Sequence, residues 1–210
     1  MKLIDLTLEM PLREDRKKTA KSFDRPLKFE NGKYTAVQHI FTFGSTVGTY
    51  IDFPGHIKEA DDGLRAIDYP VEKLFRVKTA VIHLDRKSGS GAVSASDLAA
   101  AAPKLHGCKA IVLNALGRRR FDGIKARSVW LTPDAGEWLA SKGIHLFVSD
   151  IYEREPVFTG IFAILFKAGI STVCWPVNLH KLTSPYAELT ALPIRFKDVT
   201  QVQCRIVAEF

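Results

Sequence analysis

Cysteine is scarce in this 210-residue chain. Cys108, Cys174 and Cys204 are too few and too scattered for a disulfide framework or a zinc knuckle, so a reducing compartment fits. Long apolar runs are missing too. The longest, Gly160 to Phe166, is broken by Lys167 and falls far short of a bilayer span. The opening Met1-Lys2-Leu3-Ile4-Asp5-Leu6 meets a charge at Asp5, which denies it a signal-peptide core, and a soluble cytoplasmic protein is expected. Internal repeats and low-complexity tracts are also lacking. Acid is in deficit: 30 Lys and Arg against 23 Asp and Glu leave a net charge of +7. Two basic knots carry part of that excess, Arg16-Lys17-Lys18 with Lys21 and Arg118-Arg119-Arg120. Neither is interleaved with aromatics, so solvated basic faces are expected, and nucleic acid and membrane are not expected as partners. Small anions remain within reach of such a field.

What is present describes one ordinary globular domain spanning residues 1–210, with 46% hydrophobic and 25% charged residues. Leu3 to Leu8 reads as an opening strand. Residues 11–33 are polar and charged, with Pro26 and Asn31-Gly32 as breakers, and read as a long loop or flap. Strand patterns follow at Tyr34–Phe43, Thr79–Leu84, Ala110–Asn114, Ile144–Val148, Ile170–Cys174, Leu192–Phe196 and Val202–Ala208. Ser94-Ala95-Ser96-Asp97 predicts a capped helix ending before Pro103. Thr132-Pro133-Asp134 predicts a second helix, with a capping Thr and a stop at Lys142-Gly143, and a third spans about Thr159 to Lys167. Strand–helix–strand units at 110–148 and 144–174 imply right-handed parallel crossovers, with the other strands forming a separate β layer. The class is α/β.

One stretch organises the chain: Gly44-Ser45-Thr46-Val47-Gly48-Thr49-Tyr50-Ile51-Asp52-Phe53-Pro54-Gly55-His56. Its glycines permit positive φ or close backbone approach, and Pro54 argues against a helix. An irregular loop should therefore bring Asp52 and His56 together. Such a turn is a natural carrier of function, and equally a turn whose Asp52 bonds nearby amides and whose His56 is solvated.

Residues 46–56 resemble the signature of the cyclase family that includes bacterial kynurenine formamidase and isatin hydrolase, which reads His-x-Gly-Thr-His-x-Asp-x-Pro-x-His. The resemblance extends to Asp5-Leu6-Thr7, to Asp62-Gly63-Leu64-Arg65 through Pro70-Val71, to Trp130 through Asp150, and to Ile161–Leu182 with Asn178-Leu179-His180-Lys181-Leu182. It implies a single-domain swivelling β/β/α fold and a homodimer with active sites near the interface. In the family the first two signature histidines and the Asp bind a divalent metal, Zn or Mn. The last His and a later His…Glu pair complete a second metal position or move protons. Those positions are here Thr46, Tyr50, Asp52, His56, Phe162 and Cys174, and only Asp52 and His56 keep the family's residue. A catalytic zinc needs about three protein ligands plus an open position, so no metal cofactor is expected.

The candidates each carry two readings. Asp52 is a base or an orienter of His56, or a turn cap. His56 suits acid–base work, or is a bonded loop residue. Tyr50 offers a phenol to the cavity, or plugs the space a metal would fill. Cys174 is a nucleophile served by His56, or a small buried hydrophobe. Thr46, Phe162 and Trp175 line a substrate pocket, or Phe162 and Trp175 simply pack the core. No role is assigned to His39, His83, His106, His145 or His180. Three functions follow: a metal-independent enzyme for hydrolysis, cyclisation or dehydration of a small carbonyl-containing or cyclic metabolite, through His56, Asp52 and Tyr50; a catalytically inactive binder of a small molecule or partner subunit; and a metal hydrolase with substitute ligands.

Overall fold

Strands apolar on both faces suit a parallel sheet covered on both sides, and the chain supplies four. They are β5 (Val77–His83), β7 (Ala110–Asn114), β9 (Leu146–Ser149) and β10 (Ser171–Cys174), parallel neighbours in that order. The computed structural model describes residues 1–10, 20–86, 91–124, 127–154 and 158–210. The crossovers carry helices α1 (Ala95–Ala101), α2 (Pro133–Ala140) and α3 (Ile161–Lys167). Strand alternation divides the core in two. Ala110, Val112, Leu146, Val148 and Val173 face one cluster, while Ile111, Leu113 and Phe147 pack with Leu98, Leu139 and Leu165 of the helices.

The other strands do not form a separate layer, as the sequence suggested. β4 (Tyr50–Asp52), β11 (Tyr186–Pro193) and β12 (Gln201–Glu209) join the parallel four in one sheet that closes on itself. The reason is the length of β12. One edge pairs with β11 through Cys204–Glu209, and the other pairs with β4 through Gln201–Gln203 and with β1 (Leu3–Asp5) through Val207–Glu209. The result is a mixed α/β single domain whose seven-strand barrel encloses the first cluster, with the helices outside it. A minor parallel pair joins β6 (Gly91–Val93) to β8 (Val129–Leu131).

The expected loop over 11–33 is in its second half a strand. β2 (Ala20–Phe29) pairs with β3 (Gly32–Phe41) in a ten-residue antiparallel hairpin, turning at Glu30-Asn31. Residues 11–19 with their basic knot, the connector at 87–90 and Lys125 lie outside the described residues. The Ser94–Asp97 capping box is realised as read. Thr132 is the N-cap residue of α2, but its hydroxyl donates to Val93 O at 3.0 Å rather than capping. No helix among the described residues is long and apolar enough to cross a membrane.

Candidate functional site

The site forms where β4 is clamped between two longer neighbours. Ile51 points into the barrel, so Tyr50 and Asp52 point out of it. Asp52 stands between Thr172 and Gln201, and Tyr50 between Cys174 and Gln203. Asp52 therefore ends a short buried strand instead of lying in the irregular loop expected of it. His56 follows in a single 3-10 turn, Pro54–His56. The preceding turn is tied down by Gln203, whose amide donates to Gly44 O at 2.9 Å and Val47 O at 3.3 Å. Gly48 is required there: its φ is +76°, and a Cβ would lie 2.6 Å from Met10 Cγ.

Asp52 is 2% exposed. Burial pushes its carboxyl up to about 6, with the Gln201 amide, the His56 charge and the Cys174 thiol partly offsetting that rise. The Cys174 thiol donates to Asp52 Oδ2 at 3.7 Å, while Asp52 Oδ1 has no partner. Cys174 itself is driven well above its ordinary value by burial and by the Asp52 charge. Tyr50 is driven up by burial, then by Cys174 and Asp52, and stays protonated. The Tyr50 phenol lies beside that thiol, its residue paired across the strands with Cys174. The result is a row from phenol to thiol to carboxylate.

Cys174 is thus paired with Asp52 and not, as the sequence suggested, with His56. The exposed His56 ring lies 3.3 Å from Gln201 Nε2. Because Gln201 Oε1 accepts from the Ser45 hydroxyl, its amide donates, and in the neutral ring His56 Nε2 accepts. His56 packs edge-on to Phe166 at 6.5 Å.

In front of Tyr50 and Cys174 lies a cavity of about 300 Å³. Its walls are aromatic: Trp175 packs tilted against Phe121 at 4.3 Å, and Phe162 stacks with Tyr152 at 4.9 Å. Arg127, Asp150 and Glu153 supply charge. Asp150 accepts from the backbone N–H groups of Ala115 at 2.9 Å and Leu116 at 3.0 Å. Tyr152 donates to Val173 O at 2.7 Å, which fixes its ring against the wall. Of the seven predicted residues, Tyr50, Cys174, Phe162 and Trp175 meet at this cavity. Asp52 sits behind them, His56 lies on the solvent side, and Thr46 is exposed in the turn. Tyr152, Phe121, Arg127 and Gln201 escaped sequence reasoning. Only the fixed two-residue period of β12 against β4 could have pointed to Gln201.

Comparison with known proteins follows the same outline. A family model described as "Putative cyclase" matches residues 4–156. Isatin hydrolase A from Labrenzia aggregata, solved bound to benzyl benzoate, superposes with a TM-score of 0.70 at 18% identity, over 99% of this chain and 93% of that one. A protein from Bacillus stearothermophilus described as a predicted metal-dependent hydrolase gives 0.66 at 16%, over 99% and 97%. A structure described as a novel cyclase gives 0.70 at 12%, over 100% and 88%. Identities this low establish the fold alone. No curated protein sequence matches.

A divalent ion at the signature positions does not fit the side chains found there. Thr46 is exposed, Tyr50 is held as a neutral phenol, and Asp52 offers a single free oxygen, Oδ1, its Oδ2 being bonded to Cys174. Among the described residues, no three His, Cys, Asp or Glu groups gather closely enough to hold an ion.

Proposed function

The chain belongs to the cyclase family, whose model spans well over half of it, and on that premise we propose that it is a hydrolase- or cyclase-type enzyme working without a tightly held divalent ion. Its substrate is a small, flat, carbonyl-bearing or cyclic molecule seated among Phe121, Tyr152, Phe162 and Trp175. One observation carries the reading: Tyr50 and Cys174 face the cavity, with Asp52 directly behind them. A phenol that stays protonated is a hydrogen-bond donor for the oxygen on which negative charge develops. Asp52, titrating near neutrality, is the proton store. The thiol passes its proton to Asp52 as its sulfur takes one from the substrate or attacking water, so one S–H bond replaces another and no sulfur–carbon bond forms. His56 positions this row through Gln201.

A second reading, a binder without turnover, is favoured by the high pKa of Cys174 and by the absence of Asp52 from the cavity wall. Hydrolysis of isatin and of an aryl formamide, followed by absorbance before and after chelator treatment, separates the possibilities. The enzyme reading expects turnover that survives chelation and falls about 100-fold in Asp52→Asn. The binder reading expects fluorescence quenching of Trp175 with no turnover in any sample. Turnover lost on chelation and restored by Zn or Mn would overturn both. The reading includes a homodimer in a reducing cytoplasm. It is supported by three free buried cysteines and by a hairpin that exposes Phe23, Phe29, Tyr34, Val37, Ile40 and Phe41. Sedimentation at micromolar concentration tests it.

A further inference from the structure

Ligands in α/β sheets collect at the carboxyl ends of the strands. Of the parallel four, β10 ends at the cavity already described. β5 and β7 end elsewhere, at His83 and Asn114. There a separate cavity of about 310 Å³ is lined by Asn114, Arg118, Arg119, His180 and Glu9, among others. A space of about 330 Å³ shares Asn114 and both arginines and adds His83 and Asp85. Tyr50, Cys174 and Trp175 line neither, and Phe121 and Asp150 form the partition.

Asn114 is the informative group. It is 2% exposed, and its Oδ1 is buried without a partner. Its orientation is decided by His83. His83 Nε2 lies 2.8 Å from the Leu182 carbonyl and must carry the proton, so in the neutral ring Nδ1 accepts from Asn114 Nδ2 at 2.9 Å. That leaves Oδ1 an unmet, buried acceptor on a residue that lines the cavity, which normally costs stability. A lone acceptor asks for a ligand with an O–H or N–H.

The surrounding charge asks for an anion. Arg120 is engaged by Asp122, but among the described residues Arg118 and Arg119 form no ion pair. Burial, then Lys181 and Arg118, hold the His180 ring below its ordinary pKa, as a positive field would. The loop is built close: Gly117 has φ +65°, and a Cβ there would lie 1.8 Å from Asp85 Oδ1. The Asp85 and Glu9 carboxylates on the rim disfavour a bare polyanion and tolerate a donor.

We infer that this cavity binds a small organic acid bearing a hydroxyl or amino donor beside its carboxylate, the carboxylate held by Arg118 and Arg119 and the donor by Asn114 Oδ1. The inference is independent of the activity proposed above. Isothermal titration at low salt with malate, aspartate, succinate and inorganic phosphate tests it. Malate or aspartate should bind about tenfold more tightly than succinate, the worth of one hydrogen bond, and whichever is tighter identifies the donor as hydroxyl or ammonium. The double variant Arg118→Ala/Arg119→Ala should weaken that binding at least tenfold with an unchanged melting temperature. Asn114→Asp, nearly isosteric, should abolish it. Equal binding of succinate, phosphate binding as tightly as malate, indifference to the arginine variant, or no heat from any probe would each overturn the inference.

Discussion

Asp52 and Asp150 both stand at the end of a strand, both are buried, and burial pushes each to about 6. Their partners differ. Asp150 accepts two backbone N–H bonds from Ala115 and Leu116, so the turn after β7 is built on it. Asp52 receives a thiol through one oxygen and nothing through the other. Desolvation alone therefore does not mark a working carboxylate. The supply of donors does: a carboxylate held by amides is a fastener, and one left short of them is poised to take a proton.

The contrast can be broken most decisively at Asp150. Replacing it by Asn sets an amide NH2 against one of the two backbone donors, and urea unfolding should show a loss of about 2–4 kcal/mol. A loss below about 1 kcal/mol would remove the distinction. Asp52→Asn should have the opposite sign, a gain of about 1–2 kcal/mol at pH 7, because a costly buried charge disappears. The pH dependence sharpens this. With the folded pKa near 6 and the reference value at 3.8, the folded state binds more protons between about pH 4 and 6. Wild-type stability therefore falls as pH rises through that window, by at most about 3 kcal/mol per group. Asp52→Asn should flatten part of the slope, and an unchanged slope would show that Asp52 is not the titrating group. The smallest effect belongs to Tyr50→Phe. Stability should move by less than about 1 kcal/mol and ligand affinity little, while turnover falls at least tenfold.

The legible parts of this molecule are the local ones. Ser94 and Asp97 meet within one helical turn, and residues 46–56 carry their resemblance without gaps, so both could be read in order. The hairpin was hidden because Lys, Arg and Asp break the alternation of β2 and a mid-strand Pro26 reads as a breaker. Barrel closure was hidden because it depends on β12 serving different partners at its two ends, which no local pattern encodes. The site suffered similarly. His56 is near Asp52 in sequence, yet Cys174 and Gln201, distant in sequence, flank β4 through strand register. Four wall residues were found from the family's aligned positions, in the signature and the later pair, and from Trp175's place beside Pro176. Tyr152 and Phe121 reach the cavity through tertiary packing alone.

The three-residue β4 has a consequence for synthesis. Its far edge is completed only when Gln201–Gln203 arrive, so a nascent chain halted before them would hold the helices and parallel strands yet leave β4 half-anchored. The candidate site would then be completed late on the ribosome, as a property of a finished ring rather than of any single segment.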